Sequence, residues 1–167
     1  WRRAGLAFAA GSLSVLAMAP FFIAPVLAIT LPVLVWLLDA AGSAKPTNGA
    51  KLCTRAGRLF GWLPPQIRDA AKIGWWFGFG YFVFGMFWIG EAFLVEAEKF
   101  AWLLPVAVTL LPAGLALFFA AGCALARSLW HPGAARIIAL SSALALAEGL
   151  RGHILTGLPW NTLGYAL

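Results

Sequence analysis

Long apolar runs separated by short polar segments dominate the pattern of this chain. Residues 4–38 contain no charged side chain, and further apolar runs follow at about 73–89, 102–126 and 134–150. A helix rises about 1.5 Å per residue and the hydrocarbon core of a bilayer is roughly 30 Å thick, so these runs are long enough, or nearly so, to cross a membrane. The pattern therefore predicts an all-α protein, a polytopic membrane helix bundle.

The first apolar run is too long for one straight span and slightly too short for two. Pro20 and Pro25 lie in its middle, where a helix is readily broken. We therefore expect a short helical hairpin, with helices at about 4–19 and 24–38. With the three later runs, this gives about five transmembrane helices.

The same stretch permits a second interpretation. Arg2 and Arg3, an apolar run and the sequence Ala17-Met18-Ala19 are also typical of a secretory signal peptide with its cleavage site. A second apolar run follows at once, however, and Pro20 would stand directly after the cut, where proline is unfavourable. The hairpin is the preferred hypothesis.

Charged residues gather between the apolar runs. Segment 39–72 carries six basic residues against Asp39 and Asp69, and a second basic turn follows the fourth run: Lys45, Lys51, Arg55, Arg58, Arg68 and Lys72, then Arg127, His131 and Arg136. The loop between the third and fourth runs is acidic, with Glu91, Glu96, Glu98 and Lys99. The positive-inside rule then predicts a cytoplasmic N-terminus and an outer location for the closing segment.

Part of the long basic loop is open to two interpretations. Apolar side chains from Leu52 to Leu63 alternate loosely with Arg55 and Arg58. This pattern fits a solvated connector, and it also fits a short amphipathic piece on the anionic inner leaflet.

Composition supports the membrane class and limits the possible partners. Hydrophobic residues make up 62% of the 167 residues, charged residues 11%, and the mean hydropathy is +0.88, so polar groups are too few to cover a soluble globule. A net charge of +6 fits nucleic-acid binding in a soluble protein, but here it orients the membrane helices, and no nucleic-acid partner is predicted. Cys53 and Cys123 have no metal-ligand or disulfide spacing. No metal or cofactor is predicted.

The third run is rich in aromatic residues and glycine. Gly74 and Gly78 form a Gly-x-x-x-Gly pair, which predicts the close approach of a neighbouring helix. The aromatic residues indicate helix packing and an interfacial belt, with the wall of an acyl-chain pocket as the alternative. In the fourth run, Cys123 is expected to be a small buried apolar residue.

The closing segment carries the candidate chemistry. Glu148 and Arg151 lie three positions apart and share a helix face, where they form either a functional pair or a structural ion pair. Pro159 favours a turn over residues 157–161. The candidate site residues, for shaping a lipid entrance or docking a further domain, are Glu148, Arg151, Trp160, Asn161 and Tyr165.

Several motifs resemble those of the bacterial apolipoprotein N-acyltransferases. The closing signature of that family is similar to Leu150-Arg151-Gly152, Leu155-Thr156-Gly157-Leu158-Pro159-Trp160-Asn161 and Leu163-Gly164-Tyr165. The third-helix motif and the hairpin turn of the family resemble Gly78-Phe79-Gly80 with Trp88-Ile89, and Ala19-Pro20-Phe21. Leu158 stands where the family commonly has phenylalanine, which leaves the turn undisturbed.

The resemblance implies a multi-pass enzyme of the bacterial inner membrane that supports a periplasmic nitrilase-like domain. Such enzymes move an acyl chain from a phospholipid, through a cysteine thioester, to the diacylglyceryl-cysteine of a lipoprotein. Because the family's Glu, Lys and Cys belong to that domain, residues 1–167 are expected to be an N-terminal transmembrane fragment, inactive alone and without a catalytic residue. The missing initiator methionine and the end at Leu167 agree with a partial chain. The alternative is a non-enzymatic transporter or assembly subunit that uses an intramembrane Glu148/Arg151 pair.

Overall fold

The computed structural model describes residues 1–42, 63–94, 98, 101–154 and 162–166. Across these ranges the chain forms helices and turns without a strand, which confirms the all-α prediction. The α-helices are α1 (Arg2–Ser14), α2 (Leu27–Gly42), α3 (Pro65–Gly85), α4 (Ile89–Leu94), α5 (Leu104–Ser128) and α6 (Ala135–Ile154). Short 3-10 helices cover Val15–Ala17, Ala24–Val26, Ala101–Leu103 and Leu163–Ala166.

Three segments of the described chain are long and apolar enough to cross a membrane: Ala24–Ala41, Leu104–Ser128 and Ala135–Ile154. The polytopic bundle is thereby confirmed. Two of the five predicted spans, those at about 4–19 and 73–89, are not among these three segments. Helix α1 has 13 residues, about 20 Å, and is short for a bilayer. Helix α3 has 21 residues, but its first two turns carry Arg68, Asp69 and Lys72.

The opening hairpin forms as predicted. A turn over residues 18–23 joins α1 to α2 and contains a cis peptide bond between Ala19 and Pro20. The buried hydroxyl of Ser14 in α1 donates to Thr30 Oγ1 of α2 at 2.8 Å. Ala17 is fully buried in the bundle.

The helix boundaries differ from the prediction mainly around the long basic loop. Helix α2 continues to Gly42, so Asp39 is helical, and α3 begins at Pro65, two turns before the predicted apolar run. Proline suits the first helical position because the N–H that it lacks would be unpaired there. Lys72 donates to Asp69 at 3.0 Å, an i,i+3 pair that belongs to a helix rather than to a loop.

Helix α3 lies at the centre of the bundle, between α1 and α5, and glycines allow the close contacts. A Cβ on Gly74 would lie 2.6 Å from the carbonyl oxygen of Phe119, and one on Gly78 would lie 2.8 Å from Phe119 Cβ. This confirms the close approach predicted from Gly-x-x-x-Gly. On the α1 side, a Cβ on Gly80 would collide in the same way with the carbonyl oxygen of Phe8, and this contact was not predicted from the sequence.

Hydrogen bonds gather several charged residues at one end of the bundle. Arg3 Nη1 donates to the Ala40 carbonyl at 3.0 Å, which joins the start of α1 to the end of α2. Asp39 accepts hydrogen bonds from Trp130 Nε1 at 2.8 Å and from Arg136 Nη1 at 2.6 Å. Because α3 packs antiparallel to α5, the start of α3 lies at this end too. We name it the basic end, defined by Arg3, Arg68, Lys72, Arg127 and Arg136.

The basic turn predicted after the fourth run forms between α5 and α6, with Gly133 at a φ of +90°. Some other predictions fall outside the described residues: the amphipathic piece from Leu52 to Leu63 except for Leu63 itself, with Cys53 inside it, and the side chains of Glu96 and Lys99.

Candidate functional site

Arg151 is the largest fully buried side chain of the described part of the chain. It lies in the last turn of α6, at the end of the bundle opposite the basic end, and is 1% exposed. Its guanidinium carbon lies 4.9 Å from the ring centroid of Phe82 in α3, a cation–π geometry. Because a buried charge is costly unless compensated, the groups around Arg151 decide how it is held.

Tyr81 and Glu148 supply part of that compensation. Tyr81 of α3 is fully buried, with its ring centroid 5.3 Å from that of Phe82. Glu148 lies one turn before Arg151 on α6, so the two opposite charges share a helix face, and Tyr81 lies within their electrostatic reach. We name these three residues the Tyr81–Glu148–Arg151 cluster. It connects α3 to α6 by polar groups within apolar surroundings.

Glu148 also holds the segment that follows α6. Its Oε1 accepts a hydrogen bond from the backbone N–H of Leu163 at 2.9 Å. Leu163 begins the closing 3-10 helix, which ends at Ala166. The carboxylate thus ties this short helix to the last turns of α6, and the side chain of Glu148 is only partly exposed.

A groove of about 700 Å³ runs between α2 and α6 and ends at Glu148. Its walls are mainly aliphatic, with Leu31 and Val35 on α2 and Leu140 and Leu144 on α6. Leu163 and Gly164 close it beside Glu148, and Asp39 and Arg136 close it at the basic end. Such a shape accepts an extended apolar group and offers polar partners at its two ends.

The structure brings two of the five predicted site residues together, Glu148 and Arg151. Tyr165 belongs to the closing 3-10 helix, although its side chain lies outside the description, and Trp160 and Asn161 fall within the residues that are not described. Functional roles for all five therefore stay predictions. Tyr81 was not predicted as a site residue, although the sequence carries a signal for it: Tyr81 is one of two tyrosines in the chain and the only residue with a hydroxyl in the aromatic third run.

Cys123 has the predicted environment. It is fully buried in α5 and lies against Gly74. A thiol so placed is a packing group rather than an accessible nucleophile.

Comparison with known proteins decides the family. The family model described as the apolipoprotein N-acyltransferase N-terminal domain matches residues 10–167 of this chain. The chain belongs to the apolipoprotein N-acyltransferase family. The resemblance first seen in the closing, third-helix and hairpin motifs is thereby confirmed.

Curated apolipoprotein N-acyltransferases match the chain from end to end. Identity is 53% over 167 residues with the protein of Rhodopseudomonas palustris and 55% over 167 residues with that of Bradyrhizobium diazoefficiens, each covering 100% of this chain and 28% of the relative. The Brucella suis apolipoprotein N-acyltransferase is 52% identical over 166 residues, 99% of this chain and 29% of the relative. The chain thus spans less than a third of the length of these relatives.

Proposed function

We propose that this chain is the membrane part of an enzyme that transfers an acyl chain from a phospholipid to the N-terminal diacylglyceryl-cysteine of a lipoprotein. The observation that carries the proposal is the match of residues 10–167 to the N-terminal domain of the family. The relatives are named apolipoprotein N-acyltransferase, which supports a lipoprotein as the acceptor. The fold supports a membrane setting, because three described helices are long and apolar enough to span a bilayer.

The covalent steps belong to a nitrilase-like domain outside this chain. There the carboxylate base takes the proton of a cysteine thiol, and the thiolate attacks an ester carbonyl of the phospholipid. The carboxylic acid so formed returns the proton to the lysophospholipid, which leaves as an alcohol. The α-amino group of the lipoprotein cysteine then attacks the thioester, which forms an amide and returns the thiol. Cys123 is unsuited to this role, because it is fully buried between helices.

The membrane part contributes proximity. Both substrates are anchored in lipid, so helices that hold them beside the nucleophile turn a bimolecular encounter into an effectively intramolecular step. The orientation follows from charge: the basic end faces the cytoplasm and the end carrying Arg151 faces the periplasm of a bacterial inner membrane. The described acidic residues Glu91 and Glu98 follow the end of α3 that contacts Arg151, in agreement with this orientation.

The Tyr81–Glu148–Arg151 cluster positions the closing segment at that periplasmic end. Arg151 is held against Phe82 of α3, and Glu148 holds Leu163. The proposed task of this segment, through Trp160, Asn161 and Tyr165, is to shape the lipid entrance or to dock the catalytic domain. A buried arginine suits such a task, because its position is fixed by two helices at once.

A chimera tests the function. Residues 1–167 replace the matching segment of the Rhodopseudomonas palustris relative, which aligns over the whole chain, and acyl transfer from phospholipid to a diacylated lipopeptide is measured in vesicles. We expect transfer by the chimera and none by residues 1–167 alone. The unaltered relative is the positive control. A chimera that inserts in the membrane at normal levels, yet transfers no acyl chain, would overturn the proposal.

A further inference from the structure

The groove between α2 and α6 extends far beyond the cluster. It reaches from Glu148 to Arg136 along α6 and from Leu27 to Asp39 along α2. The two ends are twelve positions apart on each helix, which corresponds to a length of about 18 Å. An extended acyl chain is about as long as half of a hydrocarbon core of roughly 30 Å, so the groove has the length to hold one such chain that runs from the basic end towards Glu148.

The groove is accessible from the side of the bundle. Trp36 on α2 and Ile137 on α6 both line it, and they are 72% and 55% exposed. Both helices are long and apolar enough to cross a membrane, so this side faces lipid rather than water. An apolar groove open to lipid takes up hydrocarbon, and the polar groups at its ends select the headgroup.

The end of the groove at the basic end is lined by the ion pair of Asp39 and Arg136. The side chain of Arg136 is 39% exposed. Among the described residues, the Arg136 side chain makes one hydrogen bond, from Nη1 to Asp39, and its buried Nε has no hydrogen-bond partner there. A guanidinium has five donors, so several are left for an anion. Asp39 is also compensated by Trp130.

Further cations surround this mouth of the groove. Arg3 contacts the carbonyl of Ala40, next to Asp39, and Arg127 lies 5.7 Å over the ring of Trp130. Three arginines therefore stand against one aspartate. Basic pockets between membrane helices on the cytoplasmic side recognise anionic lipid headgroups.

We propose that the groove holds one anionic phospholipid of the leaflet at the basic end, with its phosphate at Arg136 and one acyl chain lying between α2 and α6. This resident lipid is distinct from the acyl donor and does not rest on the proposed acyl transfer, which takes place at the opposite end. It fills the space between two helices that the Asp39–Arg136 ion pair joins at one end.

Two pairs of variants test the proposal in the whole 167-residue chain. Arg136→Gln removes the charge at the mouth, and Arg68→Gln removes a charge at the same end but outside the groove. Ala145→Trp fills the groove without touching the ion pair, and Ser142→Trp adds the same bulk to an exposed position of α6 that does not line the groove. Each protein is inserted into vesicles of equal phosphatidylglycerol and phosphatidylethanolamine, extracted gently, and examined for retained lipid by native mass spectrometry.

We expect the unaltered chain to retain one phosphatidylglycerol in preference to phosphatidylethanolamine. A charge near the membrane surface is worth about 1 kcal/mol, so Arg136→Gln should weaken that preference about fivefold. Ala145→Trp should abolish retention of both lipids, while Arg68→Gln and Ser142→Trp should behave like the unaltered chain. If Arg136→Gln fails to fold, the two tryptophan variants decide alone.

Three results would overturn the proposal. One is equal retention of the two lipids by the unaltered chain. Another is unchanged retention in Ala145→Trp. The third is a dimer of the unaltered chain that is absent in Ala145→Trp. A second copy of the chain would then be the occupant of the groove.

Discussion

Asp39 and Arg136 are 97 positions apart in the sequence, and their side chains form an ion pair in which Nη1 lies 2.6 Å from Oδ2. The other carboxylate oxygen of Asp39 accepts a hydrogen bond from Trp130 at 2.8 Å. One aspartate at the end of α2 therefore fastens the opening hairpin to the turn between α5 and α6. The contact is long-range, and each partner is partly shielded from solvent.

Replacing Asp39 with asparagine should lower the free energy of unfolding by about 1 to 2 kcal/mol. The amide still accepts a hydrogen bond from Trp130 but loses the attraction to Arg136, and partial exposure of the pair reduces the effect. Asp69→Asn is the matched control, because its pair with Lys72 is exposed and local, and the expected loss is below about 0.5 kcal/mol. Titration with dodecyl sulfate in mixed micelles measures both. Equal losses in the two variants would contradict the proposed role of Asp39.

Gly80→Ala should destabilise the bundle by about 1 to 3 kcal/mol, because the new methyl group would collide with the backbone of Phe8. Gly114 in α5 provides the contrast: nothing lies within 4 Å of a Cβ there. Gly114→Ala should therefore be neutral or up to about 1 kcal/mol more stable, by helix propensity. Thermal unfolding in detergent distinguishes the two. A neutral Gly80→Ala would show that α1 does not pack on α3 this closely.

The local part of this fold was predictable, and the long-range part was not. Apolar length predicted the membrane helices, two prolines predicted the hairpin turn, and Gly74 with Gly78 predicted the close contact with α5. The helix boundaries at Gly42 and Pro65 were not predicted, because charged residues were assigned to the loop. In the structure, polar first or last turns extend each helix beyond its apolar run.

The candidate site shows the same division. The spacing of Glu148 and Arg151 indicated a shared helix face, since that relationship is local. Three other features depend on which elements become neighbours: the contact of Arg151 with Phe82, the role of Tyr81, and the hydrogen bond from Leu163 to Glu148. No periodicity or spacing within a single sequence shows which helices become neighbours. The pairing of Asp39 with Arg136 was unpredicted for the same reason.

Glu148 and Arg151 should be energetically coupled. Removing the buried charge with Arg151→Met should cost about 3 kcal/mol, because it leaves Glu148 without its cation, and Glu148→Gln should cost about 1 kcal/mol. The double variant should then be more stable than the sum of the two effects predicts, by about 1 kcal/mol. Unfolding in mixed micelles gives all three values.

A second cycle serves as the control for this coupling. His153 lies two positions after Arg151, is exposed, and bonds to the carbonyl of Gly149. His153→Ala combined with Glu148→Gln should be additive within about 0.5 kcal/mol. Additivity in the Arg151 cycle as well would show that the cluster is not an interacting unit.

Glu148 should control the closing 3-10 helix through the backbone N–H of Leu163. Glu148→Ala removes the acceptor at 2.9 Å, and the loss of about 1 kcal/mol should speed hydrogen exchange of the Leu163 amide about fivefold. Glu148→Gln keeps an acceptor oxygen and should fall between Ala and the unaltered chain. Glu91→Ala, an exposed acid at the same end, should leave this amide unchanged.

The same variants link the closing helix to catalysis. In the chimera with the Rhodopseudomonas palustris relative, Glu148→Ala should reduce acyl transfer in parallel with the faster exchange at Leu163, and Glu148→Gln should retain more activity. A structural defect alone would lower the amount of inserted protein, so rates are taken per inserted molecule. Faster exchange at Leu163 with undiminished transfer would separate the closing helix from substrate entry and from docking of the catalytic domain.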